Sequence, residues 1–348
     1  MDKHEAYMYR CMELARSGAG HVAPNPMVGA VLVFGDRIIG EGYHQKYGEA
    51  HAEVNCIASV SKEDIGLIKQ STMYVSLEPC THFGKTPPCA DLIIRHKIPT
   101  VVIGCRDPFT EVNGKGIEKL ETAGVQVIAD VLQKECVELN RRFFCFYTKF
   151  RPYVILKWAQ TNDRKISSAT PERLLITNEV TNRLVHKWRS EEASIMVGTN
   201  TVLSDDPMLT TRLWKGPSPI RVVLDMDCRL PSSAKVFNDE APTIVFNSLR
   251  HGENGSVFFY QITRDTSVIH QMLNALYGMR IQSVMVEGGP QLLQSFIDED
   301  LWDEARIITN ETLSAGKGMA APTLNKSIQT EENKILNDRV EIYRSAFS

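Results

Sequence analysis

The chain has 348 residues, 43% of them hydrophobic and 23% charged, with a formal net charge of −3. Such a length exceeds what one hydrophobic core commonly organises, so two domains are expected, and the slightly acidic balance offers no general field for nucleic-acid phosphates. No stretch approaches the roughly 18 apolar residues of a membrane span, and Met1-Asp2-Lys3-His4-Glu5 begins a polar helix rather than a signal-peptide core.

Apolar spacing at Tyr7, Met8, Cys11, Met12 and Ala15 predicts a helix over residues 4–17, stopped near Gly18. Residues 27–34 read as an apolar strand, Gly35-Asp36 as a turn and residues 37–42 as the returning strand. A helix (51–60), a strand (72–77), a helix (89–96), a strand (100–105), a helix (116–123) and a strand (125–129) follow. This alternation predicts an α/β domain with a mixed sheet, closed by one helix from 131 to about 150. Arg151-Pro152 marks the boundary, because proline disfavours helix in the residue before it, and sets domains at 1–150 and 151–348. The second α/β series has strands at 153–158, 194–198, 220–224, 243–246, 283–286, 305–309 and 339–343, with helices at 181–190, 267–278 and 290–298. The nearest dinucleotide-type glycine run, Gly18-Ala19-Gly20-His21-Val22-Ala23, follows a helix, so no Rossmann domain is expected.

Eight cysteines in a chain this long, most of them within apolar runs, do not form a disulfide framework. Cys11, Cys56, Cys105, Cys136, Cys145 and Cys228 read as small buried hydrophobes. A reducing cytoplasm fits this usage and would keep Cys80 and Cys89 available as thiolates. These two belong to the chain's most informative stretch, which opens with His51-Ala52-Glu53 and closes with Glu78-Pro79-Cys80 and Pro88-Cys89. One imidazole and two thiolates are ligands that zinc accepts, and three protein ligands leave a fourth position for water. Such an ion lowers the pKa of its water towards about 7, and Glu53, at a helix start, is placed to take a proton and return it to a departing amine. His-x-Glu followed by Pro-Cys and Cys is the zinc nucleobase-deaminase pattern, except that eight residues rather than two separate the cysteines. A structural zinc site with His82 as fourth ligand is the competing reading, although it has no use for Glu53.

With Ala23-Pro24-Asn25-Pro26-Met27-Val28-Gly29-Ala30-Val31 upstream and the long segment from Cys80 to Cys89, the chain resembles the bifunctional riboflavin-biosynthesis deaminase/reductases over nearly its whole length. The resemblance implies a cytidine-deaminase-like three-layer domain with a mixed sheet, then a dihydrofolate-reductase-like α/β domain. It implies one Zn²⁺ per chain, NADPH, and a phosphorylated pyrimidine, 2,5-diamino-6-(ribosylamino)-4(3H)-pyrimidinone 5′-phosphate, deaminated at its 2-amino carbon. Asn25, His44, Lys85, Thr86 and Asp107 match positions that line the deaminase pocket. At Phe109 many relatives have Asn; the aromatic could stack on substrate.

In the second half, the segments from Val197 to Arg212 and from Glu287 to Gln291 resemble the reductase domain, where hydride delivery to C1′ opens the ribosyl group to ribityl. By motif position Lys157, Arg189, Asp205, Leu209, Arg212 and Glu287 would hold substrate, and Thr177, Gly198, Thr201, Gly288 and Gly289 would lie along the cofactor. Glycines there let backbone amides approach a phosphate closely. Arg189 and Arg212 suit bidentate phosphate recognition. Two segments depart from the common pattern: Arg164 stands for a glycine, and Arg173-Leu174-Leu175-Ile176-Thr177 replaces a run with Ser and Trp. Homo-oligomers are implied by resemblance alone. The alternatives are a nucleic-acid base deaminase, disfavoured by cysteine spacing and charge, and a deaminase whose second domain is a non-reducing ligand-binding or scaffold module.

Overall fold

Strands that are buried on both sides hold two helical layers apart, and side-chain alternation decides which residue faces which layer. The computed structural model describes residues 2–81, 87–109, 112–169 and 174–346. The chain divides into two units, Met1–Phe150 and Arg151–Ser348.

The first unit runs α1 (Lys3–Arg16), β1 (Gly29–Phe34), β2 (Arg37–Tyr43), α2 (Ala52–Ala58), β3 (Thr72–Leu77), α3 (Cys89–Arg95), β4 (Thr100–Cys105), α4 (Lys115–Thr122), β5 (Gln126–Ile128), α5 (Gln133–Leu139) and α6 (Arg141–Lys149). Its sheet has the order β2-β1-β3-β4-β5, with β1 antiparallel to both neighbours and β3, β4 and β5 parallel. Ala30, Leu32, Met73, Val75, Val101 and Ile103 pack with Ala52 and Cys56 of α2, Ile93 of α3 and Leu120 of α4. The residues between them, Val31, Val33, Tyr74 and Val102, pack with Met8, Cys11 and Met12 of α1 and with Cys136 of α5. The result is the expected three-layer arrangement.

The single helix anticipated over residues 131–150 is two. Asn140, at φ −107° and ψ 25°, separates α5 from α6. Its Oδ1 accepts from Met27 N and its Nδ2 donates to Met27 O, both at 2.8 Å. This pairing with a distant main chain accompanies the break in helical geometry.

The second unit comprises β6 (Tyr153–Thr161), α7 (Glu179–Glu191), β7 (Ser194–Gly198), α8 (Thr199–Asp205), β8 (Ile220–Leu224), β9 (Thr243–Asn247), β10 (Gly252–Asn254), β11 (Val257–Gln261), α9 (Val268–Gly278), β12 (Ser283–Val286), α10 (Pro290–Asp298), β13 (Glu304–Asn310), β14 (Ser327–Ile335) and β15 (Asp338–Ser345). The sheet order is β10-β11-β9-β8-β7-β12-β6-β13-β15-β14. From β11 to β13 every pairing is parallel, while β10, β15 and β14 join antiparallel. Val154, Leu156, Met196, Val222, Ile244, Val284 and Val286 form a core with Met272 and Leu276 of α9 and Leu293 and Phe296 of α10. The parallel strands bring their C-terminal ends to one edge, where open α/β sheets hold ligands. The sequence reading lacks α8, the β10–β11 pair and β14. The last is exposed along most of its length, so no apolar period marks it. Arg164 adopts a left-handed φ of 57°, the conformation in which a glycine is favoured.

Candidate active sites

His51 is the N-cap of α2, at φ −73° and ψ 167°, so its ring leaves the helix axis at the point where the chain enters the helix. Cys80 follows the end of β3, and Cys89 is the first residue of α3. His51 Nδ1 lies 3.6 Å from Cys80 Sγ and 3.4 Å from Cys89 Sγ. Zinc bonds of about 2.3 Å to sulfur and 2.0–2.1 Å to nitrogen, at tetrahedral angles, require an N···S edge of about 3.6 Å. The three side chains therefore fit a zinc ion. Among the described residues they are also the group of metal-ligating atoms brought together, all within 4.8 Å of one another. The Cys89 N–H donates to Cys80 Sγ at 3.4 Å. Hydrogen bonding from Cys89 holds the Cys80 thiol well below its usual range and pushes Cys89 up, so Cys80 is the readier thiolate.

Glu53, in the first turn of α2, is 3% exposed, and burial raises its pKa. A carboxyl group lifted this way is suited to carrying a proton at neutral pH.

Asn25 and His44 come together, though not as two independent ligand groups. His44 Nδ1 lies 3.0 Å from the Ala50 carbonyl, which only accepts; the proton is on Nδ1, and Nε2 accepts from Asn25 Nδ2 at 3.1 Å. Burial lowers the His44 pKa. The ring thus has a partner at each nitrogen and orients Asn25. Asp107 is buried, accepts from Phe109 N at 2.8 Å, and burial pushes its pKa up to about 7. The Phe109 ring packs on Tyr147 with centroids 5.1 Å apart. Lys85, Thr86 and His82 lie outside the described residues.

Sequence reasoning missed Glu78. Its buried carboxylate accepts from the backbone N–H groups of Asp107 (3.3 Å), Gly114 (2.9 Å), Gly116 (2.8 Å) and Ile117 (3.3 Å). It thereby ties the chain entering the Cys80 ligand to the loop bearing Asp107 and to the start of α4. A Cβ on Gly116 would lie 2.2 Å from Pro79 O, so only glycine permits this approach.

In the second unit Arg189 grips Glu287 with two bonds, Nε to Oε1 at 2.9 Å and Nη2 to Oε2 at 2.7 Å. Lys157 Nζ approaches the same carboxylate at 3.7 Å. Burial opposes the Glu287 charge, but Arg189 and Lys157 outweigh it and hold the pKa at about 2. The fork of Arg189, expected on a phosphate, is occupied by this carboxylate. Arg212 Nη1 donates to Thr210 Oγ1 at 3.1 Å, and its main-chain N–H donates to His186 Nδ1 at 3.0 Å. His186 is 2% exposed and was not anticipated; its position on the buried face of α7, three residues before Arg189, is the signal that could have found it. Leu209 is buried at a left-handed φ of 57°.

Gly288 follows β12 so closely on β7 that a Cβ would lie 2.7 Å from Val197 Cβ. Gly289, at φ 64°, is the N-cap of α10 and would bring a Cβ to 3.4 Å from Thr201 Oγ1. Gly198, the N-cap of α8, lies at the C-terminal end of β7. Asp205 is exposed at the end of α8. Thr177 stands just before Asn178, the N-cap of α7, whose Oδ1 accepts from Val180 and Thr181 N, both at 3.0 Å.

A His–Cys–Cys cradle beside a buried glutamate, in a three-layer mixed sheet, puts the first unit in the class of zinc-dependent base deaminases; the second unit has the fold of dihydrofolate-reductase-like reductases. Comparison with known proteins narrows this. The model of the cytidine and deoxycytidylate deaminase zinc-binding region matches residues 1–105, and that of the RibD C-terminal domain matches residues 152–334. The riboflavin biosynthesis protein RibD of Aquifex aeolicus is 39% identical over 95% of this chain and 94% of its own length. That of Escherichia coli is 32% identical over 86% and 85%. A Thermotoga maritima crystal structure, described as a diaminohydroxyphosphoribosylaminopyrimidine deaminase/5-amino-6-(5-phosphoribosylamino)uracil reductase, superposes with a TM-score of 0.90 at 38% identity, covering 99% of each chain. The chain belongs to the RibD family.

Proposed function

We propose that the chain catalyses two consecutive steps of riboflavin biosynthesis, with the deaminase in residues 1–150 and the reductase in residues 151–348. In the first, water replaces the 2-amino group of 2,5-diamino-6-(ribosylamino)-4(3H)-pyrimidinone 5′-phosphate, a C–O bond forming as the C–N bond breaks, and ammonia leaves. Zinc, when bound, supplies the Lewis acidity that makes water nucleophilic at neutral pH. His51, Cys80 and Cys89 hold the ion. Glu53 takes the proton from water and returns it to the departing nitrogen. Asn25, oriented by His44, and Asp107 hold the pyrimidine edge, with Lys85 and Thr86 at the phosphate or exocyclic groups.

In the second step the ribosyl group of 5-amino-6-(5-phosphoribosylamino)uracil is reduced to ribityl, and NADPH supplies the hydride. Gly198, Thr201, Gly288 and Gly289 offer backbone and hydroxyl donors along the cofactor, with Thr177 at its edge. Lys157, Arg189, Asp205, Leu209, Arg212 and Glu287 surround the substrate. The ligands are small molecules, and the acidic chain disfavours nucleic acid. No described helix is long and apolar enough to cross a membrane. The reducing cytoplasm keeps the two ligand cysteines free, and copies of the chain associate; sedimentation at micromolar concentration tests the association.

The observation that carries the reading is the match of the His51–Cys80–Cys89 separations to a zinc tetrahedron beside the buried Glu53. A single purified sample, with its metal content determined, is to be followed for ammonia release and NADPH loss. Glu53→Ala should keep zinc and fold while abolishing ammonia release. Unchanged release would remove Glu53 from the mechanism, and NADPH left unconsumed with the deaminated product would remove the reductase assignment.

A further inference from the structure

We propose that His186 is a positioning residue of the second site: its ring fixes the main chain at Arg212 and so presents that guanidinium to the phosphate of the substrate. The inference rests on the reductase reading above and adds to it a group that does not touch the substrate. The Arg212 N–H donates to His186 Nδ1 at 3.0 Å, so Nδ1 is unprotonated and the ring proton is on Nε2. The segment is then fastened at several points. Thr211 N donates to Ser218 Oγ at 3.1 Å, Arg212 Nη1 to Thr210 Oγ1 at 3.1 Å, and Leu209 turns the chain at φ 57° just before them. Two of the bonds tie the loop to α7, the one to His186 and a longer one from Arg189 Nη1 to Thr210 O at 3.5 Å, and the His186 bond is the shorter and falls on Arg212 itself.

The charges explain why this fastening matters. Arg189, Arg212 and Lys157 all raise the local positive potential at His186, against the single carboxylate Glu287. Arg189 is clamped on Glu287 by two bonds. Arg212 donates to Thr210, a neighbour on its own loop, so the placing of that loop bears on the guanidinium's direction, and a bidentate anion contact is demanding in angle. Burial together with the neighbouring cations keeps the imidazole neutral, down to about pH 4, so it orients Arg212 without adding a charge that would repel it.

NADPH consumption by the full chain should be compared for 5-amino-6-(5-phosphoribosylamino)uracil and its dephosphorylated form. His186→Leu should raise the KM for the phosphorylated substrate at least tenfold, leave kcat and the KM for NADPH within threefold, and erase most of the preference for the phosphate. His186→Asn, whose side-chain oxygen stands near the Nδ1 position, should restore the wild-type preference. Should the leucine variant not fold, His186→Gln replaces it, since its amide reaches towards the Nε2 position and leaves Arg212 N without its acceptor. A preference kept by His186→Leu or His186→Gln, or one lost equally in His186→Asn, overturns the inference alone. Wild-type protein that consumes no NADPH with either compound overturns the reductase reading and the inference with it.

Discussion

Two buried glutamates in this chain are driven in opposite directions by their surroundings. Glu53 loses water, and its pKa rises. Glu287 also has a largely covered side chain, 7% exposed, yet Arg189 and Lys157 reverse the effect of burial. The first is suited to moving a proton and the second to remaining an anion. Glu53→Gln should therefore retain zinc by elemental analysis and lose at least about a hundredfold in ammonia release, the usual scale of general acid–base help. For Glu287 the sign follows from its folded pKa of about 2, below the unfolded value of about 4.3. Its ion pair stabilises the second unit fully above about pH 5 and ceases to do so as pH falls towards 2. Urea midpoints of wild type and Glu287→Gln at pH 7 and pH 3 should differ widely at the first and by roughly half as much at the second. At this scale the gathering of His51, Cys80 and Cys89 was legible, because their side-chain chemistry and short spacings advertise them. Glu78 and His186 were not, because each is defined by backbone N–H groups that only the folded chain brings to it.

Strands β1, β3 and β4 were readable because both of their faces are apolar and turn residues bound them. Helix α8 was hidden in a Gly-Thr-Asn-Thr run of poor helix formers. The break at Asn140 was hidden too, since its partner Met27 is 113 residues away. Asn140→Ala should leave two main-chain groups of Met27 without their partner and cost about 1–3 kcal/mol, read as a lower denaturation midpoint of the first unit alone. The Glu78 carboxylate joins β3, the 107–117 loop and α4 at four N–H groups. Glu78→Gln turns one acceptor atom into a donor facing donors. It should destabilise the first unit by at least about 2 kcal/mol and raise the KM of deamination, with NADPH consumption unchanged.

For the molecule as a whole, the length and the Arg151-Pro152 step suggested two domains, and contacts divide the chain after Phe150. Each unit has a core of its own, so the two chemistries should be separable. A strong chelator should abolish ammonia release, while NADPH consumption with the deaminated pyrimidine continues; loss of both together would mean that the second unit depends on the metal.

The outermost strand of the large sheet, β14, has a consequence for handling the protein. It is bonded to β15 on one side, and its free edge is an invitation to any other chain in an extended state. Glu331, Glu332 and Lys334 lie exposed along it, and their hydration opposes stacking of one molecule's rim on another's. Replacing them with valine or threonine would leave both chemistries intact in dilute solution and turn concentrated stocks cloudy on storage.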